Sequence, residues 1–489
     1  MVFSYYRMEV KSFSVDMIIK SKFTEGGIDY LGCKDILVHI HILGIAGVLM
    51  SNVARLAIQH GHTVTGCDVK FYPPVVEVLN QLDVCLIDNF DANQLDHVRA
   101  DLYLIGNVMR RGMPIIEEIL NKGMPYTSAP KWLSDHVLAD RHVLAVSGTH
   151  GKTTTAAMIT WILLEAGLSP GFLIGGIPRQ IEFSADQGTS DLFVIEADEY
   201  DTAFFDKRSK FIHYRPKTLL INNLEYDHAD IFRDLEDMTR QYHFLVRTLP
   251  GNATIIYYND SNQVMSLLDR GCWSNKVSFS GERESACAPD WVWTRDKKQA
   301  IFRATSGECY SVSPIIGDHN CHNALAAFLM AVNVGVSPEQ AAKALSSFHG
   351  VKRRLECIVE KNGVRVFDDF AHHPTALKAT ISAAREFCSG RLWAIFEPSS
   401  NSFKQGLWSE LLAESLVESD YVMCYLCGVE WDVLRSLSPL GEGRFFLFDD
   451  IEVLLDDLLL KILPGDDIII MSNGFFAGIR KRIMSRLGS

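Results

Sequence analysis

The 489-residue sequence has no run of about 18 apolar residues, the length that a membrane-spanning helix requires. Its opening stretch, MVFSYYRMEVKSFSVDM, lacks an apolar core followed by a small-residue cleavage site, so no export signal is read and a cytoplasmic setting is expected. Basic residues are in deficit, 47 Lys+Arg against 60 Asp+Glu, for a formal charge of −13. That balance argues against nucleic acid as the main partner. The 11 cysteines are scattered, several inside apolar segments such as VCLI and ECIV, which excludes a disulfide framework and suits buried free thiols. Cys424 and Cys427 form a lone CxxC without further ligands at metal-site spacing. No fixed-period repeat or low-complexity linker appears, so domain joints must be compact.

What is present is ordinary globular composition, 47% apolar and 22% charged. At one domain per roughly 150 residues the chain should hold about three. Residues 1–35 have little periodicity and read as an N-terminal extension. From Asp35, ILVHIHILG (strand), AGVLMSNVARLAIQHG (helix) and HTVTGCD (strand) make a βαβ unit, and a first α/β domain is expected over 36–138. A second, 139–348, opens with the strand HVLAVSG, a glycine loop and the helix TTTAAMITWILLEAG. A third, 349–489, starts with a hairpin turning at Asn362-Gly363 and continues as another α/β pattern. The fold class is therefore α/β throughout.

The strongest local signal is Gly148-Thr149-His150-Gly151-Lys152-Thr153-Thr154 between a strand and a helix. A phosphate chain needs exposed backbone N–H groups, a helix N-terminus and a mobile ammonium. The glycines permit the wrap, Lys152 reaches the outer phosphates and Thr153 can hold Mg²⁺. With Val146 at the first glycine position, this is a shortened form of the phosphate loop. Gly44-Ile45-Ala46-Gly47 follows a strand and precedes a helix, but Leu49 and Met50 break the dinucleotide fingerprint. Either a dinucleotide or another diphosphate suits it, with Asp68 closing the next strand where a ribose-binding acid would sit. Glu196, Asp198, Glu199 and Asp201 crowd EADEYD after a strand; beside a phosphate loop such acids make sense as Mg²⁺ ligands. His228 ends NLEYDH, placed as a metal ligand or a general base. Asp318 and Asn320 in GDHNCHN read as caps of the following helix, or as site residues.

Together GIAG, GTHGKTTT, EADE, NLEYDH, GDHNCHN, KRRLE and DDFAHHP resemble the ATP-dependent Mur ligase family of peptidoglycan synthesis, in the right order from about Val38 to Gly478. EADEYDTAFFDKRSKF favours the branch that joins a ready-made peptide over the branch that adds L-alanine. The resemblance implies three domains: a Rossmann-like one binding the UDP end of UDP-N-acetylmuramate, a phosphate-loop ATPase and a Rossmann-like closing domain. It implies ATP and Mg²⁺ as cofactors, a murein tripeptide as second substrate, and a monomer or weak homodimer. Gly44, Ile45, Ala46, Gly47 and Asp68 would face the UDP group. Gly148, Thr149, His150, Gly151, Lys152, Thr153, Thr154, Asn320, Arg354 and Asp369 would bind ATP. Thr153, Glu196 and His228 would hold Mg²⁺, and Lys152, His228 and Arg354 would carry catalysis.

Three departures from the family pattern stand out. Ala46 and Leu49 replace glycines of the first loop. Ser399, in EPSSN, stands where that branch has arginine, and a serine cannot grip a carboxylate through a rigid fork. Phe475 and Ala477 replace glycines in MSNGFFAG. The last two changes bear on the peptide rather than on ATP.

Overall fold

A computed structural model describes residues 37–71, 75–282, 288–426 and 428–488, with two short strands upstream, Lys22–Thr24 and Gly27–Asp29, paired antiparallel. Most of the expected extension, and Cys427 of the CxxC pair, lie outside the described residues. Cys424 is fully buried, and burial pushes its thiol well above the ordinary value, so it behaves as an inert core group.

The chain divides into two compact units. The first runs to His136 and also includes Thr202–Asp206. Its centre is a five-stranded parallel sheet of β1 (His39–Leu43), β2 (Thr63–Cys67), β3 (Cys85–Ile87), β4 (Leu102–Ile105) and β5 (Tyr126–Ser128), in the order β3-β2-β1-β4-β5. The helix α1 (Val48–Gln59) follows β1. Strand order reverses on either side of β1, which puts the loop after β1 at a switch point of the sheet. Leu43, Cys67, Tyr103, Ile105, Ile115 and Ile119 form the core beneath it.

Among its described residues the second unit is built on two large sheets. The larger is built from β6 (His142–Ser147), β7 (Gly171–Leu173), β8 (Ala185–Asp186), β9 (Leu192–Glu196), β10 (Thr218–Ile221), β11 (Thr254–Tyr258), β12 (Asn275–Gly281), β13 (Trp291–Asp296), β14 (Gln299–Ala304) and β15 (Cys309–Val312). Their order is β8-β7-β9-β6-β10-β11-β12-β13-β14-β15. Strands β9, β6 and β10 are parallel neighbours and almost wholly buried, as their unbroken apolar runs require for a sheet covered on both faces. The helices α2 (Lys152–Glu165) and α3 (Asp318–Asn333) cover one face through Ala156, Ile159, Leu163, Leu325 and Phe328. The short alternating runs after Gly251 join this sheet as β11–β15, the last three pairing antiparallel.

The smaller sheet comprises β16 (Glu356–Lys361), β17 (Val364–Asp369), β18 (Leu392–Phe396), β19 (Tyr421–Tyr425), β20 (Phe445–Phe448) and β21 (Asp467–Met471), ordered β16-β17-β21-β18-β19-β20. Strands β16 and β17 form the expected hairpin, and Asn362 and Gly363 both take positive φ, 53° and 77°. The helix α4 (Pro374–Arg385) follows β17, capped by the His373 ring, whose Nδ1 accepts from Thr375 N at 3.3 Å.

Candidate active site

In the second unit, β6, β9 and β10 end side by side, and their carboxyl ends carry the loop 148–151, the acids 196–199 and the segment 222–228. Loop shape follows from two glycines. Gly148 and Gly151 adopt φ of 135° and 81°, and a Cβ on Gly151 would lie 2.3 Å from Asn323 Oδ1. Gly151 therefore meets both a left-handed conformation and a space that only glycine fits. Behind it, Asn222 Nδ2 donates to Asn323 Oδ1 at 3.0 Å and to the His150 carbonyl at 3.1 Å. Asn223 accepts from His150 N at 2.7 Å through Oδ1 and donates to the same carbonyl at 3.0 Å. Thr149 Oγ1 closes a two-way link, accepting from Glu225 N and donating to Glu225 O. This bracing takes up the N–H groups of Thr149 and His150, so the donors that meet an anion are those at the N-terminus of α2.

The Lys152 ammonium is held rather than free. It donates to Gly148 O at 2.8 Å and to both Glu199 oxygens at 2.8 and 3.0 Å. His228 Nε2 lies 3.0 Å from Glu199 Oε1, so one fully buried carboxylate serves both cations. Burial pulls the Lys152 ammonium towards deprotonation, but Glu199, Asp198 and Glu196 outweigh it and hold its pKa above the ordinary value. His228 is likewise raised, burial being overcome by Glu199, Asp227 and Asp198. For Glu199 burial works upward, yet Lys152 and His228 pull its acid below the usual carboxylate range. Glu196 differs: burial dominates and raises it, although it accepts from Gly175 N at 2.7 Å and from Thr153 Oγ1 at 3.0 Å. The Thr153 hydroxyl and the Glu196 carboxylate in contact offer the hard oxygen ligands that suit a divalent cation. Asp198, Glu199 and His228 form a second receptacle, their ligand atoms within 4.8 Å of one another.

Arg354 reaches this centre from the segment before β16: its Nη2 is 3.5 Å from Thr153 Oγ1 and its guanidinium stacks on the Phe370 ring at 5.1 Å. Lys152, Thr153, Glu196, His228 and Arg354 are thus brought together. Two residues read from sequence as nucleotide contacts make hydrogen bonds within the protein. Asp369 accepts from Leu355 N, Ala371 N and Thr380 Oγ1, so it fixes the segment that carries Arg354. Asn320 Nδ2 donates back to Ile316 O at 2.8 Å, and the cap of α3 is Gly317, not Asp318 or Asn320. Of the remaining loop residues, Thr154 sits in the first turn of α2.

Glu199, Asn222 and Asn323 were not singled out from sequence. Glu199 was in view only as one of four clustered acids, and the asparagines meet across 101 positions.

Beside His228 opens a cleft of about 160 Å³ lined by Tyr200, Asp227, His228, Asp230, His372, Ser399–Ser402 and Asn473. Ser399 Oγ donates to Asn473 Oδ1 at 2.6 Å and Asn401 Nδ2 to Asp230 Oδ2 at 3.0 Å. Among the described residues this lining has two carboxylates and neither lysine nor arginine.

In the first unit, the loop after β1 forms a separate feature. Gly44 has φ 82°, Gly47 caps α1, and Ala46 N donates to Asp68 Oδ2 at 3.0 Å. Ile45 is buried. Asp68 therefore shapes the loop through one oxygen, while Val69 N occupies the other at 2.8 Å.

Family models place this arrangement. The Mur ligase family catalytic domain matches residues 39–141, the Mur ligase middle domain 146–331, and the Mur ligase glutamate ligase domain 353–474. A UDP-N-acetylmuramate–L-alanyl-γ-D-glutamyl-meso-2,6-diaminoheptandioate ligase of Escherichia coli is 45% identical over 92% of this chain and 98% of its own. The chain belongs to the Mur ligase family. A murein peptide ligase structure from Psychrobacter arcticus matches at 40% identity and TM-score 0.74, over 92% of this chain and 99% of that one. A UDP-N-acetylmuramate–L-alanine ligase of Renibacterium salmoninarum is 33% identical over 73% of this chain and 76% of its own. The chain is accordingly a three-domain, ATP-dependent ligase that forms amide bonds. No helix among the described residues is long and apolar enough to cross a membrane.

Proposed function

We propose that this ligase joins L-alanyl-γ-D-glutamyl-meso-diaminopimelate to the lactyl carboxylate of UDP-N-acetylmuramate, with ATP and Mg²⁺, in the recycling of cell-wall peptide. One observation carries the reading: identity to the tripeptide ligase is 45% over nearly its whole length, against 33% over about three quarters for the L-alanine ligase. Residues 36–138 would take the UDP end at Gly44, Ile45, Ala46, Gly47 and Asp68. Residues 139–348 would take ATP, and 349–489 the peptide.

A carboxylate is a poor acceptor for an amine because its leaving group would be oxide. Its attack on the γ-phosphorus of ATP breaks the bond to the β–γ bridging oxygen, expels ADP and makes an acyl phosphate; the peptide amine then attacks the acyl carbon, and phosphate and a proton leave as the amide forms. Lys152 is the group of this chain that meets the phosphoryl oxygens: phosphates arriving at the helix N-terminus offer its ammonium a partner in place of the Gly148 carbonyl. Arg354, stacked on Phe370 and beside Thr153, places a second fixed cation there. Thr153 and Glu196, with His228, would hold Mg²⁺, which when bound neutralises phosphate charge. His228 has its Nε2 on Glu199 and suits a ligand or orienting role better than that of a base. The carboxylates Asp227 and Asp230 make the adjoining cleft a place for a cationic or amine-bearing group.

The test is phosphate release from ATP with Mg²⁺ and UDP-N-acetylmuramate, with L-alanine or the tripeptide in parallel and products read by mass spectrometry. Tripeptide-dependent release with formation of UDP-N-acetylmuramoyl-tripeptide is expected. Turnover with L-alanine instead overturns the peptide assignment, and silence with both overturns the substrate pair.

A further inference from the structure

Beyond the phosphate-facing centre, a second constellation gathers residues from three distant segments: His150 from the loop before α2, Glu225 from the segment after β10, and His373 from the cap of α4. One nitrogen of each imidazole and one carboxylate oxygen lie within 4.8 Å of one another. His150 Nε2 is 3.4 Å from Glu225 Oε2, longer than a normal N–H···O hydrogen bond, and His373 Nδ1 is 4.0 Å from the same oxygen. The two imidazoles face each other with ring centres 4.7 Å apart.

Two observations say that this set lacks a partner. The buried Nε2 of His150 makes no hydrogen bond of normal length, Glu225 Oε2 being 3.4 Å away, and His373, 4% exposed, holds its Nδ1 4.0 Å from the same oxygen with only the long bond from Thr375 N. A buried imidazole nitrogen without a partner costs free energy that packing alone does not return. The surroundings are those of a ligand set held in place. Thr375 Oγ1 donates to Glu225 Oε2 at 2.7 Å and orients the carboxylate, and Trp408 stands edge-on to the His373 ring at 4.6 Å as an apolar wall.

We propose that His150, Glu225 and His373 form a site for a divalent transition metal of the Zn²⁺ or Co²⁺ kind, separate from the Mg²⁺ site of the ligase reaction. Two imidazoles and one carboxylate, with a fourth position open, are a donor set that such ions take and that Mg²⁺ does not favour. Tetrahedral bonds of about 2.0–2.1 Å set ligand atoms about 3.4 Å apart. The His150–Glu225 pair already has that spacing at 3.4 Å, and His373 Nδ1, 4.0 Å from Glu225 Oε2 and within 4.8 Å of the His150 nitrogen, must swing inward to complete the set. Coordination through His373 Nδ1 gives up only the long 3.3 Å bond from Thr375 N. The bound ion ties the nucleotide loop to α4, so it stiffens the loop that must receive ATP.

The probe is Co²⁺ titrated into the intact, chelator-stripped chain, with its d–d absorption read directly. Wild type should bind an ion with the intense bands of a four-coordinate, nitrogen-containing site. His373→Asn, which keeps a side chain able to cap α4, and Glu225→Gln should each weaken that binding at least about 10-fold. His228→Gln should leave those bands intact, which separates this site from Asp198–Glu199–His228. Zn²⁺ should displace Co²⁺ and raise the melting temperature of wild type but not of Glu225→Gln. Bands that survive both His373→Asn and Glu225→Gln, bands lost in His228→Gln, or no bands in wild type overturn the proposal. Should His373→Asn melt early, the Glu225→Gln titration decides alone.

Discussion

Glu199 is the residue on which the phosphate-facing centre turns, and its replacement by glutamine is the most informative perturbation. The change keeps the shape and removes one charge from a carboxylate that is 0% exposed, accepts from the Lys152 ammonium through both oxygens and lies 3.0 Å from His228 Nε2. Breaking a buried pair costs about 3–5 kcal/mol because one charge is left uncompensated. Here Asp198 and Glu196 still face Lys152, which sets the expected cost near the lower end, about 3 kcal/mol. At about 2–4 °C per kcal/mol for a domain of this size, the ligand-free protein should melt about 6–12 °C earlier. Lys152→Met should destabilise as well, by stranding Glu199. The double variant should be more stable than the sum of the two losses implies, with a coupling of at least about 1.5 kcal/mol. Thermal or urea unfolding of the four proteins measures it. Strict additivity, or a Glu199→Gln melting point equal to wild type, would refute the reasoning that Glu199 compensates a buried cation.

Gly151→Ala should cost at least about 1–2 kcal/mol from its left-handed φ, and more from the Asn323 oxygen at 2.3 Å, and should abolish nucleotide binding measured by calorimetry. Arg354→Ala should lower kcat about 10²-fold with a smaller effect on the KM for ATP, because its cation serves developing charge; initial rates against ATP concentration check this. Asp466 accepts from Arg391 Nε and Nη2, Trp393 Nε1 and Leu463 N, and although burial works upward these partners hold its pKa below the ordinary aspartate value. A depressed folded-state pKa gives stability that is present above the unfolded value of about 3.9 and lost as pH falls through the folded value. The melting-temperature gap between wild type and Asp466→Asn should therefore be full near neutrality and shrink below about pH 4.

Much of the fold was legible because its signals are local. The strand–loop–helix at 142–165, the hairpin at Asn362-Gly363 and the parallel strands with unbroken apolar runs each declare themselves within a dozen residues or so. The Lys152, Thr153 and Glu196 cluster could be anticipated for the same reason, since strand ends in such sheets meet. What could not be read was which acid of EADEYD meets the lysine: Glu196 ends its strand, and the turn after it, not periodicity, swings Glu199 beneath Lys152. Asp369 reads as a nucleotide contact by motif, and its oxygens also accept from Leu355 N, Ala371 N and Thr380 Oγ1, a local bonding pattern that motif spacing does not reveal. The Asn222–Asn323 brace joins residues 101 positions apart, and the His150–Glu225–His373 set draws on three segments remote in sequence, so only tertiary packing brings them together. Ser399 was noticed as a departure, and its place in the cleft beside Asp227 and Asp230 is a matter of packing alone.

The central claim, that ATP activates the lactyl carboxylate of UDP-N-acetylmuramate before the peptide amine attacks, is tested most directly by oxygen-18 transfer. With label in that carboxylate and the tripeptide as acceptor, mass spectrometry of the released phosphate should find one labelled oxygen per amide bond formed. Amide formation with unlabelled phosphate would contradict the account, because the carboxylate oxygen would then have left by another route.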